Sequence, residues 1–167
     1  MTEPSSQLAC NNRSPYPIVL AEVEHLEPLS QLLNAHRMVL GKPDEQPAVS
    51  HFLFERLINH EVLIFLALGD EQSMQGKGFL SLYPTFSAQS LMPVWMLGEL
   101  YIVPEARQQG LAQSLLQSAL ELIQQRGDEG IILNLSAEYQ PVLELEDLLS
   151  QLQHLGEHYL SAQIQHF

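Results

Sequence analysis

The stretch Leu97-Gly98-Glu99-Leu100-Tyr101-Ile102-Val103-Pro104-Glu105-Ala106-Arg107-Gln108-Gln109-Gly110-Leu111-Ala112 decides the fold. It reads as an apolar strand that stops at a proline, turns through Arg-x-x-Gly-x-Ala, and enters an amphipathic helix. Such a turn presents free backbone N–H groups at a helix N-terminus, where the aligned peptide dipoles favour an anion. Gly110 lets the backbone approach a ligand closely, and Ala112 leaves space beside it. The guest this arrangement suits is a pyrophosphate. Neither the G-x-G-x-x-G of a dinucleotide-binding turn nor the G-x-x-x-x-G-K-[ST] of a P-loop is present.

Outward from this stretch, hydrophobic periodicity gives one α/β domain over residues 18–167, behind a polar N-terminal tail over 1–17 that is expected to be flexible. Ile18 to Val23 suggests a first strand. Leu26, Leu29, Leu32, Leu33, His36 and Leu40 recur at helical spacing until Gly41 and Pro43 end the helix. Pro47 opens a second helix carrying Val49, Phe52, Leu53 and Leu57. Val62–Leu68 reads as a buried strand and Gly78–Tyr83 as its partner across a polar turn. Val94–Val103 leads to the anion turn. Ala112, Leu115, Leu116, Ala119, Leu122 and Ile123 form the buried stripe of the next helix, which Gly127 stops. Ile131–Leu135 is another buried strand, Val142 to Leu152 marks a last helix, and His158–Gln165 a final strand.

Composition narrows the function classes. The chain has 167 residues, 46% of them hydrophobic, enough for one well-filled core. Its longest wholly apolar run, Val62 to Leu68, is too short to span a bilayer. Met1 to Pro17 lacks the apolar segment of a signal peptide, and Cys10 has no second cysteine to pair with. A cytoplasmic protein is the simplest expectation. Seven Lys+Arg stand against 20 Asp+Glu, a net charge of −13. Such a surface repels nucleic acid and anionic membranes and favours cationic ligands such as amines, besides keeping the protein soluble.

The arrangement Arg107-x-x-Gly110-x-Ala112 after Leu100-Tyr101-Ile102-Val103-x-Pro resembles the acetyl-CoA-binding motif of the GNAT N-acetyltransferase superfamily. Gly78-Phe79-Leu80-Ser81-Leu82-Tyr83-Pro84-Thr85-Phe86-Ser87 and Trp95-Met96-Leu97 are similar to one bacterial branch of it. The resemblance spans roughly Ile18 to Ser136, with a blurred continuation to the C-terminus. It implies the GNAT fold, a mixed central sheet in the order β-α-α-β-β-β-α-β-α-β. It also implies acetyl-CoA as acetyl donor and a primary amine as acceptor: a small amine, a polyamine or a peptide amine.

The resemblance also distributes roles. It assigns the pyrophosphate to the backbone amides of Gln108, Gln109, Gly110, Leu111 and Ala112, helped by Gln113 and Ser114. The pantetheine arm would pair like an added strand with Tyr101, Ile102 and Val103, where a backbone N–H would polarise the thioester carbonyl. Arg107 is the turn's sole cation, with Gln108 and Gln109 where relatives often carry Gly and a second basic residue. Cofactor affinity is therefore expected below the family's usual level. Glu99 occupies a position where many family members place an acidic residue near the acceptor amine. A free amine has a pKa near 10.4, so a carboxylate base is needed to help remove its proton. The competing reading is a strand glutamate facing solvent.

The family's C-terminal pattern, Asn-x-x-Ala-x-x-Leu-Tyr-x-x-x-Gly-aromatic, is broken here. Tyr139 stands for the Asn, Val142 for the Ala, Leu145 for the Leu, and Glu146 for the Tyr that protonates the departing thiolate. Glu146 can serve as acid only if burial raises its pKa well above the usual value of about 4.3. Tyr139 can donate its phenol proton instead.

Other residues carry less. The seven histidines show no metal pattern, and His154 and His158 lack a surrounding ligand set, so no metal is expected. There is no Gly-x-Ser-x-Gly elbow. Trp95, Tyr83 and Phe86 could line an acceptor pocket, although Trp95 reads better as core. His36, Arg37, Asp44 and Glu45 lie on a helix–loop that often shapes acceptor specificity in the family, and each alone reads as part of a solvated face. An extra C-terminal strand could pair across a homodimer. Three functions compete: an N-acetyltransferase working by direct attack in a ternary complex, an impaired acyl-CoA-binding sensor of the same fold, and a non-catalytic interaction protein. The spacing of the anion turn speaks against the third.

Overall fold

The computed structural model describes residues 14–70, 74–135 and 160–164. Over them the chain runs β1 (Ile18–Leu20), α1 (Leu26–Val39), α2 (Gln46–Ile58), β2 (Leu63–Leu68), β3 (Gly76–Ser87), β4 (Met92–Ile102), α3 (Leu111–Arg126), β5 (Ile131–Leu135) and β6 (Leu160–Ile164). One-turn 3-10 segments at Val23–His25 and Pro104–Ala106 lead into α1 and towards α3. The strands form one sheet in the order β1-β2-β3-β4-β5-β6. Antiparallel pairing runs from β1 to β4, whereas β4–β5 and β5–β6 are parallel. The sheet is mixed, as expected. A parallel pair needs a crossover, and the stretch that supplies it between β5 and β6, with the expected helix from Val142 to Leu152, lies outside the described residues.

Side-chain alternation divides the sheet into two faces. On one, Phe65, Ala67, Leu80, Leu82 and Ile102 pack under Leu111, Leu115, Leu116, Ala119 and Ile123 of α3. On the other, Ile64, Leu66, Phe79 and Tyr101 pack under Leu29, Leu32 and Leu33 of α1 and Val49, Leu53 and Leu57 of α2. Each fully buried leucine contributes about 1.5–3 kcal/mol relative to an exposed one, so these two layers fix the sheet between the helices.

Helix ends follow the punctuation in the sequence. Gly41 and Gly127 adopt left-handed φ of 76° and 74° just past α1 and α3, and Pro47 sits in the first turn of α2. The β3–β4 hairpin is longer than periodicity indicates. Pairing continues through Pro84↔Trp95 to Ser87↔Met92, although Pro84, Thr85 and Ser87 break the apolar alternation. Residues 14–17, assigned to the tail from composition, lie against the domain. Ser14 N–H donates to Ser114 Oγ at 3.1 Å, Leu68 N–H donates to Pro17 O at 3.0 Å, and Tyr16 packs on the α3-side core.

Candidate active site

The ladder between β3 and β4 shifts between Leu80 and Leu82: Leu80 faces Leu100, but Leu82 faces Leu97. Gly98 and Glu99 together therefore oppose Ser81. This is a β-bulge, in which one strand carries an extra residue and the ladder bends. The extra residue keeps Leu97 and Leu100 both against the α3 core. Glu99 lies on the same face as Tyr101, towards α1 and α2.

Ser81 and Tyr83 hold the Glu99 carboxylate. Ser81 O–H donates to Glu99 Oε2 in a very short bond, and Tyr83 O–H donates to the same oxygen at 3.0 Å. Glu99 N–H donates back to Ser81 Oγ at 2.9 Å. Both side-chain donors converge on Oε2, so Oε1 receives neither. Gly98 makes the arrangement fit: a Cβ there would stand 2.1 Å from Tyr83 Cε2 and 2.8 Å from Ser81 Oγ. Glu99 thus does not simply face solvent. It is half-buried and held by two hydroxyls.

A cavity of about 400 Å³ opens beside Glu99 and Tyr83. Its walls come from α1, the following loop and α2: Leu33, His36, Arg37 and Leu40, then Glu45, Ala48, Val49 and Phe52. Three of the four residues read singly as a solvated face therefore line it. His36 is only 8% exposed, with its ring centroid 5.2 Å from that of Tyr101 and 6.4 Å from that of Phe79. Its Nε2 is buried without a hydrogen-bond partner. The solvated-face reading is wrong for His36, because its spacing from Leu32 and Leu33 puts it on the buried stripe. Arg37 binds Glu45 at 2.6 Å. Asp44 accepts a bond from Asn34 Nδ2 at 2.8 Å, tying the loop to α1. Tyr83 lines the cavity, whereas Phe86 is 78% exposed on the hairpin and does not. Trp95 is core, with Nε1–H donating to Asp128 Oδ2 at 2.8 Å.

Burial lowers the His36 pKa below 6.5, an effect partly offset by the charge of Glu99. Below pH 6.5 the unfolded chain therefore binds more protons at this position than the folded one, so acid costs stability. The stability difference between the native protein and His36→Gln should shift against the native protein as pH falls below about 6.5. Urea unfolding at stepped pH measures it. A difference flat from pH 7.5 to 5 would refute the assignment.

In the interior of the sheet, the ladder between β4 and β5 is short. β5 pairs with β4 only at Trp95↔Ile131 and Met96↔Ile132, and Trp95 N–H donates to Gly130 O at 2.9 Å. Among the described residues, the β4–β5 ladder thus ends at Met96↔Ile132. Tyr101 and Ile102 place their side chains in opposite core layers, and Val103 packs against both. A strand-like ligand along this part of β4 would leave both side-chain layers undisturbed but would share Ile102 O with Arg107 Nε–H.

This part of β4 leads to the turn. Val103 N–H donates to Lys77 O at 3.0 Å, and Arg107 Nε–H donates to Ile102 O at 3.0 Å. Arg107, Gln108 and Gln109 are exposed, and Gln108 takes a left-handed φ of 60°. Gly110 caps α3 at φ 73° with no side-chain cap. The first backbone bond into the helix is Ser114 N–H to Gly110 O at 3.0 Å. The amides of Leu111, Ala112 and Gln113 are therefore the orphan donors of the first turn. Ser114 Oγ–H donates to Gly110 O, and Ser114 Oγ accepts from Ser14 N–H. Tyr139 and Glu146, the two candidate acids, lie outside the described residues. No group of three His, Cys, Asp or Glu able to hold a metal occurs among the described residues, nor does a helix long and apolar enough to cross a membrane.

The sequence reasoning missed Ser81 and Gly98, because a bulge leaves no periodic trace. It had flagged Tyr83 only as a pocket residue. For His36 the signal was present in the helical stripe.

Comparison with known proteins agrees with this geometry. The profile of the acetyltransferase (GNAT) family matches residues 28–145, more than half of the chain. The uncharacterized N-acetyltransferase YhfO of Bacillus subtilis is 34% identical over 99 residues, 59% of this chain and 64% of that protein. The match thus spans just under two thirds of that relative. A crystal structure described as a probable acetyltransferase is 32% identical, covers 81% of this chain and 87% of that one, and superposes with a TM-score of 0.73. At 15% identity, the structure described as a predicted acetyltransferase with acetyl-CoA from Clostridium acetobutylicum shares the fold, with a TM-score of 0.61 over 78% of this chain and 87% of that one. With the short β4–β5 ladder, the glycine-capped anion turn and the family match all on one scaffold, this chain belongs to the acetyltransferase (GNAT) family.

Proposed function

We propose that the chain transfers an acetyl group from acetyl-CoA to a primary amine by direct attack in a ternary complex. One observation carries the reading. A single strand, β4, presents a hydroxyl-held carboxylate to a cavity on one face and, past the end of its β5 ladder at Met96, runs to the glycine-capped N-terminus of α3. The residues present fit acetyl-CoA. The first-turn amides of α3, the left-handed Gly110 and the stretch of β4 beyond its β5 ladder are backbone features that a phosphate-bearing, strand-like arm can use. When bound, acetyl-CoA supplies the activated acetyl thioester. Leu111, Ala112 and Gln113 hold the pyrophosphate through their N–H groups, with Arg107, Gln108, Gln109, Gly110 and Ser114 around it. The backbone of Tyr101, Ile102 and Val103 aligns the arm, and a β4 N–H polarises the carbonyl. Glu99 binds the acceptor ammonium and takes its proton, directly or through water. Tyr139 or Glu146 returns a proton to the leaving sulfur.

The test begins with a calorimetric titration with acetyl-CoA, using desulfo-CoA as control, followed by thiol release with a panel of amines. Binding and amine-dependent release are the expected results. Binding without release would support the acyl-CoA-sensor reading, and no binding at high micromolar cofactor would end both.

Arg107→Ala should weaken cofactor binding about tenfold or more, since it removes a charge-assisted bond worth about 1.5–3 kcal/mol. A micromolar-or-better dissociation constant that barely responds would dismiss Arg107 as a phosphate contact.

A further inference from the structure

Two halves of the acceptor cavity differ in chemistry. Leu33, Leu40, Ala48, Val49 and Phe52 make one wall apolar, and Leu40 and Phe52 stay 44% and 40% exposed. The apolar lining thus continues to the mouth. Among the described residues, the charged ones lining the cavity are Glu99, Glu45 and Arg37, with His36 and Tyr83 as the other titratable groups. Arg37 is already bound to Glu45 at 2.6 Å, so these two cancel. Burial keeps His36 neutral at pH 7. Among the described lining residues one uncompensated charge remains, the Glu99 carboxylate.

A ligand with one ammonium balances that charge and lays an apolar body on the leucine–phenylalanine wall. A ligand with two or three ammoniums does not. Its further charges would lie along aliphatic side chains that offer them no partner, or compete with Arg37 for Glu45, so the water stripped from them is not replaced. We infer that the acceptor is a monoamine on an aliphatic or aromatic frame, and that Arg37 excludes polyamines by neutralising Glu45. Arg37 is here a specificity residue that acts through another side chain. This inference rests on the acetyl-transfer reading and narrows its substrate class.

The experiment compares kcat/KM from thiol release for isoamylamine and phenethylamine with that for putrescine and spermidine. The monoamines should lead by tenfold or more. Arg37→Met leaves Glu45 as a second free carboxylate, so the spermidine-to-isoamylamine ratio should rise at least tenfold, a gain that misfolding does not produce. Glu45→Gln should move the ratio the other way. Polyamines equal to monoamines in the native protein, or a ratio that Arg37→Met leaves in place, would overturn the inference. Calorimetric binding of the same four amines in the presence of desulfo-CoA separates it from the catalytic reading. A monoamine preference in binding without turnover sinks only catalysis. A polyamine preference, or no amine binding at all, sinks the monoamine assignment.

Discussion

Glu99→Gln is expected to lower kcat/KM for amine acetylation about 10²-fold or more, the range in which a positioned proton acceptor contributes. The substitution suits the question. A glutamine carbonyl still accepts the hydroxyls of Ser81 and Tyr83 that converge on Oε2, so the cavity keeps its shape while losing the proposed base and its charge. The acetyl-CoA dissociation constant should stay near the native value, because the turn at Gly110 is built from other residues. Tyr83→Phe and Ser81→Ala each remove one bond to the carboxylate and should cost less, about tenfold. As positioning residues they should shift the pH profile of kcat, which a merely structural loss would scale without moving. Steady-state thiol release across pH 6–9 checks the series. An unchanged rate in Glu99→Gln would leave Glu99 a structural strand residue.

Gly98→Ala is the second large effect. The added methyl group would stand 2.1 Å and 2.7 Å from Tyr83 Cε2 and Cδ2 and 2.8 Å from Ser81 Oγ, closer than any real contact. The ring has to leave, and its bond to Glu99 goes with it. Overpacking of this kind costs about 1–3 kcal/mol, a drop in Tm of roughly 2–12 °C for a domain of this size. Turnover should fall along with it, because the carboxylate loses its holder. Adding Tyr83→Ala clears the space, so the double variant should regain much of the lost Tm while remaining slow. Calorimetric melting of the three variants decides it. A single variant that melts with the native protein would show that the bulge relaxes freely.

The fold was largely legible in sequence because its elements carry clean periods. The stripe from Leu111 to Ile123 and the run from Val62 to Leu68 fall where the 3.6 and buried-strand patterns put them. Glu99 was legible only through its family position. The reason it is held was not, since an inserted residue shifts the cross-strand register by one and sequence alternation does not say which strand carries the extra residue. Ser81 consequently looked like an ordinary strand serine. His36 was misjudged for a different reason: a polar residue at a stripe position invites a surface reading, yet its neighbours in the stripe are buried. Phe86 erred in the other direction, an aromatic residue left outside on a hairpin tip. Tyr139 and Glu146 lie outside the described residues.

Trp95 is the chain's sole tryptophan. It stands on the last paired rungs before β4 and β5 separate, with Arg126 lying 5.2 Å over its ring and Asp128 on its indole N–H. Nature has thereby placed a single chromophore at the fork. Emission excited at the red edge of protein absorbance comes from one position, and that position lies on the strand along which the proposed acyl-CoA arm would run. Any wedge driven between the strands changes the field of Arg126 and Asp128 around the indole. Unlabelled protein in a stopped-flow cell thus carries its own optical gauge of how fast the fork fills and empties.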